Sequence, residues 1–458
     1  MVMHSRLRLA AAALGAMAMV LTMFVYVLVI ASSTSSSSVW PPDNGSDAGG
    51  NATVTSVFTT NSTPFKWQAH DDDDGVDDDD DLVLHLTIWN DFWGSRWEGN
   101  LGPGRSADEY AKQPGDDGNF APERGHWYCP KRCAVNHDRR MVAQGKSSAV
   151  IMHSPTWDPA STPVVPLGVA IPWVMLGIES PFNDGVQENH PDVLRLFQYK
   201  MSYRLDSDFL FTYSPRDLLK ASIAPPLVPV AQKVPNGTVA WMSSSCQPHN
   251  HRQLFVAALM KHYPVHSMGT CENNYGSAGR DIQNRDDVNT RTIANYRFYL
   301  SLENTNCRDY VTEKFFNAIK AGVVPIVNGP RENYAALLPV PDAAIYLSDY
   351  ASLKDLVDRL HHLSTNDTAY KHMLRFRAGV EGPGAPAVLP VSEFSPAFLA
   401  FAKAKKEAHG PFCQLCLEMH RQRRQPRQPE TTTSVIPDDT CFPKGGHPFA
   451  QLEHWERR

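Results

Sequence analysis

YRFYLSLENTNCRDYVTEKFFNAIKAGVVPIVNGP, residues 296–330, sets a β-rich run, a polar loop, a helix-like stretch and a second apolar run one after another. The pattern predicts a strand–loop–helix–strand unit. Asp309 is the expected N-cap, its carboxylate accepting first-turn N–H groups, and Gly322 suits the left-handed position past the helix end. In open parallel sheets, ligands gather at the carboxyl ends of strands, where helix N-termini offer free N–H groups and a favourable dipole to phosphate. Lys314 in the first turn is unfavourable by about 0.3–1 kcal/mol unless an anion sits beside it. The reading is therefore that a nucleotide diphosphate occupies this helix end. Glu313 has two readings, a carboxylate offsetting the dipole or an acceptor for sugar or ribose hydroxyls. Neither a P-loop nor G-x-G-x-x-G is present, which excludes the Walker and dinucleotide fingerprints.

Outward from this unit, TVAWMSS (238–244), the helix-like HRQLFVAALMKH (251–262), AAIYLS (343–348) and SLKDLVDRLHHL (352–363) continue the alternation of strand and helix expected of a parallel α/β sheet. Upstream, LVLHLTIWN (82–90), SSAVIMH (147–153) and VPLGVAIPWVMLGIE (165–179) read as strands. The Pro-rich SPRDLLKASIAPPLVPVAQKVPNG (214–237) reads as a hinge between two domains.

The N-terminus carries an apolar run from Leu9 to Ala31, interrupted only by Thr22 and preceded by Arg6 and Arg8. At about 1.5 Å per residue it is long enough for a bilayer core of about 30 Å. The positive-inside rule then places the remainder in a lumen or outside. A cleaved signal peptide is the competing reading, but its apolar core is shorter, roughly 7–15 residues. Five N-x-S/T triplets, at Asn44, Asn51, Asn61, Asn236 and Asn366, and eight cysteines agree with an oxidising lumen. Residues 32–81 are polar and end in DDDDGVDDDDD, which reads as a disordered stem. Setting aside those nine aspartates turns the net charge of −6 into +3, so no nucleic-acid-binding surface is indicated.

The 296–330 segment resembles the signature of the α1,3-fucosyltransferases, and three further stretches agree. PWVMLGIESP (172–181) resembles that family's W-x-ESP segment, YKMSYRLDSDFLFTY (199–213) its SYR-x-DSD segment, and 238–271 the strand and Arg-bearing helix of its donor domain. The resemblance covers roughly 82–416. It implies a GT-B-like α/β fold of two facing Rossmann-like domains, behind a single transmembrane helix and flexible stem. The expected map is 1–8 cytoplasmic tail, 9–31 anchor, 32–81 stem, 82–218 acceptor-side domain, 219–400 GDP-fucose-binding domain, and 401–458 C-terminal helix, CxxC and basic tail. The implied activity is inverting transfer of L-fucose from GDP-fucose to the 3-hydroxyl of N-acetylglucosamine in glycoprotein glycans, at the Golgi membrane in type II orientation. The acceptor, an N-acetyllactosamine antenna or the N-glycan core, stays open.

Carried over residue by residue, Glu179 matches the proposed general base. Arg252, Tyr299, Glu303, Asn304, Glu313 and Lys314 match donor-binding positions, while residues 82–93 fall where the family contributes to its acceptor cleft. A carboxylate that takes the acceptor proton typically contributes 10²–10⁴-fold. Cations around the departing diphosphate supply the preorganised charge that such a reaction needs. Asp206-Ser207-Asp208 mimics a D-x-D metal motif but lies in the SYR segment. No dedicated metal cage is therefore expected, with stimulation by manganese left open. The family pattern implies that the pair in CQLC (413–416) is disulfide-linked to the pair in CPKRC (129–133), pairing undetermined. Cys246 and Cys271 are a candidate bridge, and Cys307 and Cys441 have no evident partners. Serine at 244–245 departs from the Ser-Asn of many relatives. A catalytically inactive luminal glycan-binding relative is the alternative. A cell-surface adhesion module would call for β-sandwich spacing.

Overall fold

A computed structural model describes residues 81–103, 126–184, 191–276, 285–380, 387–424 and Cys441. The anchor, the stem before residue 81 and the tail beyond 424, apart from Cys441, lie outside the described residues, as do the first three Asn triplets. Among the described residues no helix is long and apolar enough to cross a membrane.

Two sheets organise the chain. The first contains β1 (Val83–Ile88), β2 (Gly99–Gly102), β3 (His126–Tyr128), β4 (Arg132–Asn136), β5 (Ala149–His153), β6 (Trp173–Gly177), β7 (Tyr199–Ser202) and β8 (Phe209–Leu210). Their order is β3-β2-β4-β1-β5-β6-β7-β8. From β4 through β8 all neighbours are parallel, but β2 runs antiparallel to β4, so this sheet is mixed. The expectation of a plain Rossmann-like first half is corrected to that extent.

The β5–β6 connection also departs from a helical crossover, using two single 3₁₀ turns. Pro163, Pro166 and Pro172 remove backbone donors there, and Gly168 takes φ +82°. For the same reason only Trp173–Gly177 of the 165–179 run is strand.

The second sheet is wholly parallel, as expected. It contains β9 (Val239–Trp241), β10 (Val265–Ser267), β11 (Phe298–Ser301), β12 (Val324–Val327) and β13 (Ile345–Tyr346), ordered β10-β9-β11-β12-β13. Every residue of β9, β11 and β12 is buried, which fits apolar strands covered on both faces. The helices include α1 (Arg252–Met260), α2 (Glu313–Ala321), α3 (Leu353–Thr365), α4 (Pro396–Glu407) and α5 (Pro411–Arg424). In α3, Leu353, Leu356, Val357, Leu360 and Leu363 form one buried stripe, and Ser352 Oγ accepts the Asp355 N–H as N-cap.

The C-terminal helix α5 returns to the first sheet, where Phe412, Leu415 and Met419 pack with Leu84, Leu86, Val174 and Met201. Two disulfides, Cys129–Cys413 and Cys133–Cys416, fasten it there, which settles the pairing in sequence order. Cys246 pairs with Cys271, and Cys307 pairs with Cys441. The Pro-rich 214–237 stretch is tethered rather than slack. Its short helix Leu218–Ile223 and the carbonyl of Ala224 meet the buried Arg377 guanidinium, which donates to Ala221, Ser222, Ala224 and Ile319 oxygens.

Candidate functional site

The loop after β11 builds a polar network at the carboxyl edge of the second sheet. Asn328, just past β12, accepts the Glu303 N–H at 2.8 Å, and Asn250 Nδ2 donates to the Glu303 carbonyl at 2.8 Å. With its backbone held on both sides, the Glu303 carboxylate accepts from the Thr312 N–H at 2.7 Å and from Thr312 Oγ1 at 2.8 Å. Lys314 Nζ lies 3.2 Å from Glu303 and 3.1 Å from Glu313, and donates to Thr312 Oγ1 at 2.7 Å. The Glu303 side chain is 2% exposed, Lys314 17% and Glu313 38%. Burial works against charge on Lys314, but Glu303 and Glu313 outweigh it and hold the ammonium above its ordinary range. Burial likewise raises the Glu313 carboxyl, yet Lys314 beside it brings it below the usual value.

Two sequence expectations change here. Asp309 is not the N-cap. The helix begins at Glu313 with Thr312 before it, while Asp309 sits at φ +61° and its carboxylate accepts the Leu205 N–H at 3.2 Å. Three residues, Tyr310 to Thr312, therefore separate Asp309 from the helix, and a periodicity argument cannot see a left-handed turn. Nor is Lys314 an uncompensated cation, because two carboxylates already balance it. A cation in this first turn is thus not by itself proof of a bound anion. Gly322 does close the helix in the left-handed region, at φ +69°.

Arg252 opens α1 and is buried, donating to the Leu302 carbonyl and, at 2.9 Å, to Ser243 Oγ. Its guanidinium ties the loop after β9 to the end of β11, and its Nε has no hydrogen-bond partner among the described residues. Gly269 is required beside it: a Cβ there would lie 2.1 Å from the Ser243 carbonyl oxygen. Tyr299 is buried on β11, its phenol pushed up by burial with Lys314 opposing. Asn304 is half-buried, and its carbonyl accepts the Asn250 N–H at 3.3 Å.

Glu179 comes from the other sheet, two residues past β6. Tyr310, in the loop leading to α2, donates to Glu179 Oε2 at 2.9 Å across 131 positions of sequence. Burial pushes the Glu179 carboxyl up, while the Tyr310 hydroxyl and Lys314 act in the opposite direction. Ser180, next in the chain, holds the N-cap position of the following 3₁₀ turn. Further contacts join the same halves. Phe182 stacks on His249 at 3.8 Å, and Tyr203 meets Tyr310 edge-on at 4.9 Å.

The structure thus places Arg252, Tyr299, Glu303, Glu313 and Lys314 in one charge cluster, with Asn304 adjoining and Glu179 within its field. Sequence reasoning missed Tyr310, Thr312, Asn250, Asn306 and Asn328. Asn306 is buried, accepts from Asn250 and Asn328 through Oδ1, and has no partner for Nδ2 among the described residues. Nothing in the periodicity marks these residues, although Tyr310 and Thr312 adjoin the Glu313-Lys314 pair.

The D-x-D look-alike is spent on structure. Arg204 donates to Asp206 through Nε and Nη2, at 2.9 and 2.6 Å, and Asp208 accepts the Lys200 N–H at 2.8 Å. Burial raises the Asp206 carboxyl, but Arg204 prevails and lowers it to about 2. Cys133, Cys416 and His420 cluster at metal-ligand spacing, but both sulfurs are consumed in a disulfide.

Residues 86–214 match the family model described as "Fucosyltransferase, N-terminal", and residues 232–435 match "Glycosyltransferase family 10 (fucosyltransferase) C-term". The 4-galactosyl-N-acetylglucosaminide 3-alpha-L-fucosyltransferase 9 proteins of Cricetulus griseus and Homo sapiens are each 31% identical over 248 residues, 54% of this chain and 64% of theirs. The corresponding FUT6 protein of Pan troglodytes is 29% identical over 299 residues, 64% of this chain and 72% of that one. The matched region thus spans about 64% of the length of the first two relatives. A solved α1,3-fucosyltransferase with GDP-fucose aligns at 18% identity over 71% of this chain and 90% of that one, with a TM-score of 0.40. The two family models follow one another in the order of the two sheets and meet both halves of the charge cluster: the chain belongs to glycosyltransferase family 10, the fucosyltransferases.

Proposed function

We propose that the protein is an inverting α1,3-fucosyltransferase that moves L-fucose from GDP-fucose to the 3-hydroxyl of N-acetylglucosamine in glycoprotein glycans. The observation that carries this reading is the Tyr310–Glu179 hydrogen bond, which sets a half-buried carboxyl from one half against the charge cluster of the other. In this reading the halves are two Rossmann-like layers facing one another, acceptor on the Glu179 side and donor on the Lys314 side. Family membership and the fucosyltransferase names of the relatives support it.

Glu179 accepts the acceptor proton as the hydroxyl oxygen bonds to the anomeric carbon. The bond from that carbon to the diphosphate breaks on the opposite face, and GDP leaves with the electron pair. A base whose pKa is raised toward neutrality drives proton removal better than an ordinary carboxylate, and Tyr310 keeps it ionisable. Lys314 and Arg252 meet the diphosphate charge, Glu303 pins Lys314 in place, and Glu313 and Asn304 hold sugar hydroxyls. Cations positioned in advance make a resident metal unnecessary. Membrane anchorage through 9–31 in the Golgi belongs to the same proposal, supported by four disulfides that need an oxidising compartment.

The test is incubation with GDP-fucose and a glycan panel containing N-acetyllactosamine, the acceptor that the relatives' names describe, and core N-glycans. Fucosylated product with an α1,3 linkage is expected. GDP release with no fucosylated product would overturn the reading.

A further inference from the structure

The turn after β1 carries a backbone conformation that its sequence does not favour. Phe92 and Ser95 exchange both backbone hydrogen bonds, each at 2.9 Å, closing a two-residue hairpin turn over Trp93 and Gly94. Both central residues have positive φ, +46° and +80°. Glycine meets that demand without strain, but a bulky residue there is an outlier that costs on the order of 1–3 kcal/mol. Trp93 nevertheless occupies the first position with 49% of its surface exposed. A tryptophan that is both strained and half in water is poorly explained by packing.

Its placement supplies the reason. β1, β5 and β6 are parallel neighbours, so the Trp93 turn, His153 and Glu179 all emerge at one edge of the first sheet. The Trp93 ring meets the His153 ring at 4.4 Å and the Phe92 ring at 4.5 Å, both in edge-on geometry with the planes 74° apart. His153 is itself fixed, its Nδ1 2.7 Å from Thr156 Oγ1 and its backbone held by Asn90. His153 is level with Leu176 on β6, three residues before Glu179. With a strand rise of about 3.3 Å and a strand spacing of about 4.8 Å, the edge-on Trp93–His153 pair lies on the order of 10 Å from the Glu179 backbone.

We infer that Trp93 is a stacking platform for the acceptor, taking the C–H face of the pyranose next to the N-acetylglucosamine that Glu179 activates. The inference rests on the transferase reading for the role of Glu179, but not for binding itself. An exposed indole fixed by edge-on contacts to two neighbouring rings presents an apolar surface at low entropic cost. A spacing near 10 Å suits a disaccharide, so Trp93 distinguishes acceptors of two or more sugars from a lone N-acetylglucosamine.

The test uses the full chain, with Trp93→Gly and Trp93→Phe, and the probes methyl β-N-acetylglucosaminide, N-acetyllactosamine and N,N′-diacetylchitobiose. Binding is read by ligand-detected NMR in the presence of GDP, independently of turnover. Trp93→Gly should weaken the better-bound disaccharide roughly tenfold, as for truncation of a buried aromatic anchor. It should leave the monosaccharide and GDP within about twofold, and Trp93→Phe should restore most of the loss. Because glycine relieves the positive φ, the thermal midpoint should not fall, whereas a purely structural Trp93 would lower it. Equal loss for mono- and disaccharide, no loss for either disaccharide, or no disaccharide binding by the unaltered protein would each overturn the inference. A protein that binds the disaccharide through Trp93 yet transfers no fucose would refute the transferase reading alone.

Discussion

Lys314 has two competing explanations, a partner for a diphosphate or a partner for Glu303, and a double-mutant cycle between Lys314→Met and Glu303→Gln weighs them. The Nζ–carboxylate distance is 3.2 Å with Glu303 almost fully buried. At an effective dielectric near 20 the bare attraction is about 5 kcal/mol, much of it offset by desolvation. Removing one partner of a buried pair costs about 3–5 kcal/mol. Thr312 still donates to Glu303 through its N–H and Oγ1. The Lys314 change should therefore fall at the lower end, about 3 kcal/mol. Glu303→Gln should cost about 2 kcal/mol, because Lys314 keeps Glu313. The double variant should cost about as much as the lysine change alone, which gives a coupling of about 2 kcal/mol. Urea unfolding under non-reducing conditions, compared at constant m, measures it. A coupling below about 0.5 kcal/mol would mean that the pair is not engaged in solution and that the lysine is held for a ligand alone. GDP titration of Lys314→Met in parallel should show weaker binding, and an unaltered Kd would remove the phosphate role.

Glu179→Gln should lower turnover by about 10²–10⁴-fold with GDP affinity nearly kept; full turnover would exclude it as the base. The base must be ionised, so kcat/KM should rise with pH through the raised pKa of Glu179. Tyr310→Phe deletes a hydrogen bond that favours the carboxylate, so it should move that limb to higher pH, and an unmoved limb would refute the assignment. Each disulfide to α5 closes a loop of more than 280 positions. The Cys413→Ala/Cys416→Ala pair should cost about 5 kcal/mol and either single change clearly less, about 2, since the remaining bridge still closes the loop; equal single and double losses in urea would contradict parallel stapling. Arg377→Lys replaces a fork bonded to four carbonyls by a single ammonium, and should lower stability by about 3 kcal/mol. A thermal midpoint within a degree or two of the parent would show that those bonds contribute little.

The second sheet was largely legible because its signals are local. Runs such as FYLS and VPIV are continuous apolar strands, Gly322 ends a helix, and the 352–363 stripe repeats at helical spacing. The first half was less so. VPLGVAIPWVMLGIE is apolar throughout, and only the prolines tell where its strand begins. β2 and β3 are short, and no residue in them signals that β2 reverses direction.

The site divides the same way. Glu179, Arg252, Tyr299, Glu303, Asn304, Glu313 and Lys314 were nameable from motif resemblance. The Asn250–Asn306–Asn328 clamp and the Tyr310–Glu179 bond were not, because they join residues 22 to 131 positions apart with no periodic signature.

Composition and periodicity by themselves determined an α/β chain with a charged helix start, since those properties depend on near neighbours along the backbone. Tertiary structure alone decided that the lysine is already balanced by carboxylates, which cysteines pair, and which tryptophan stands strained at the sheet edge that carries Glu179. Each of those outcomes depends on distances through space, and chain order does not encode them.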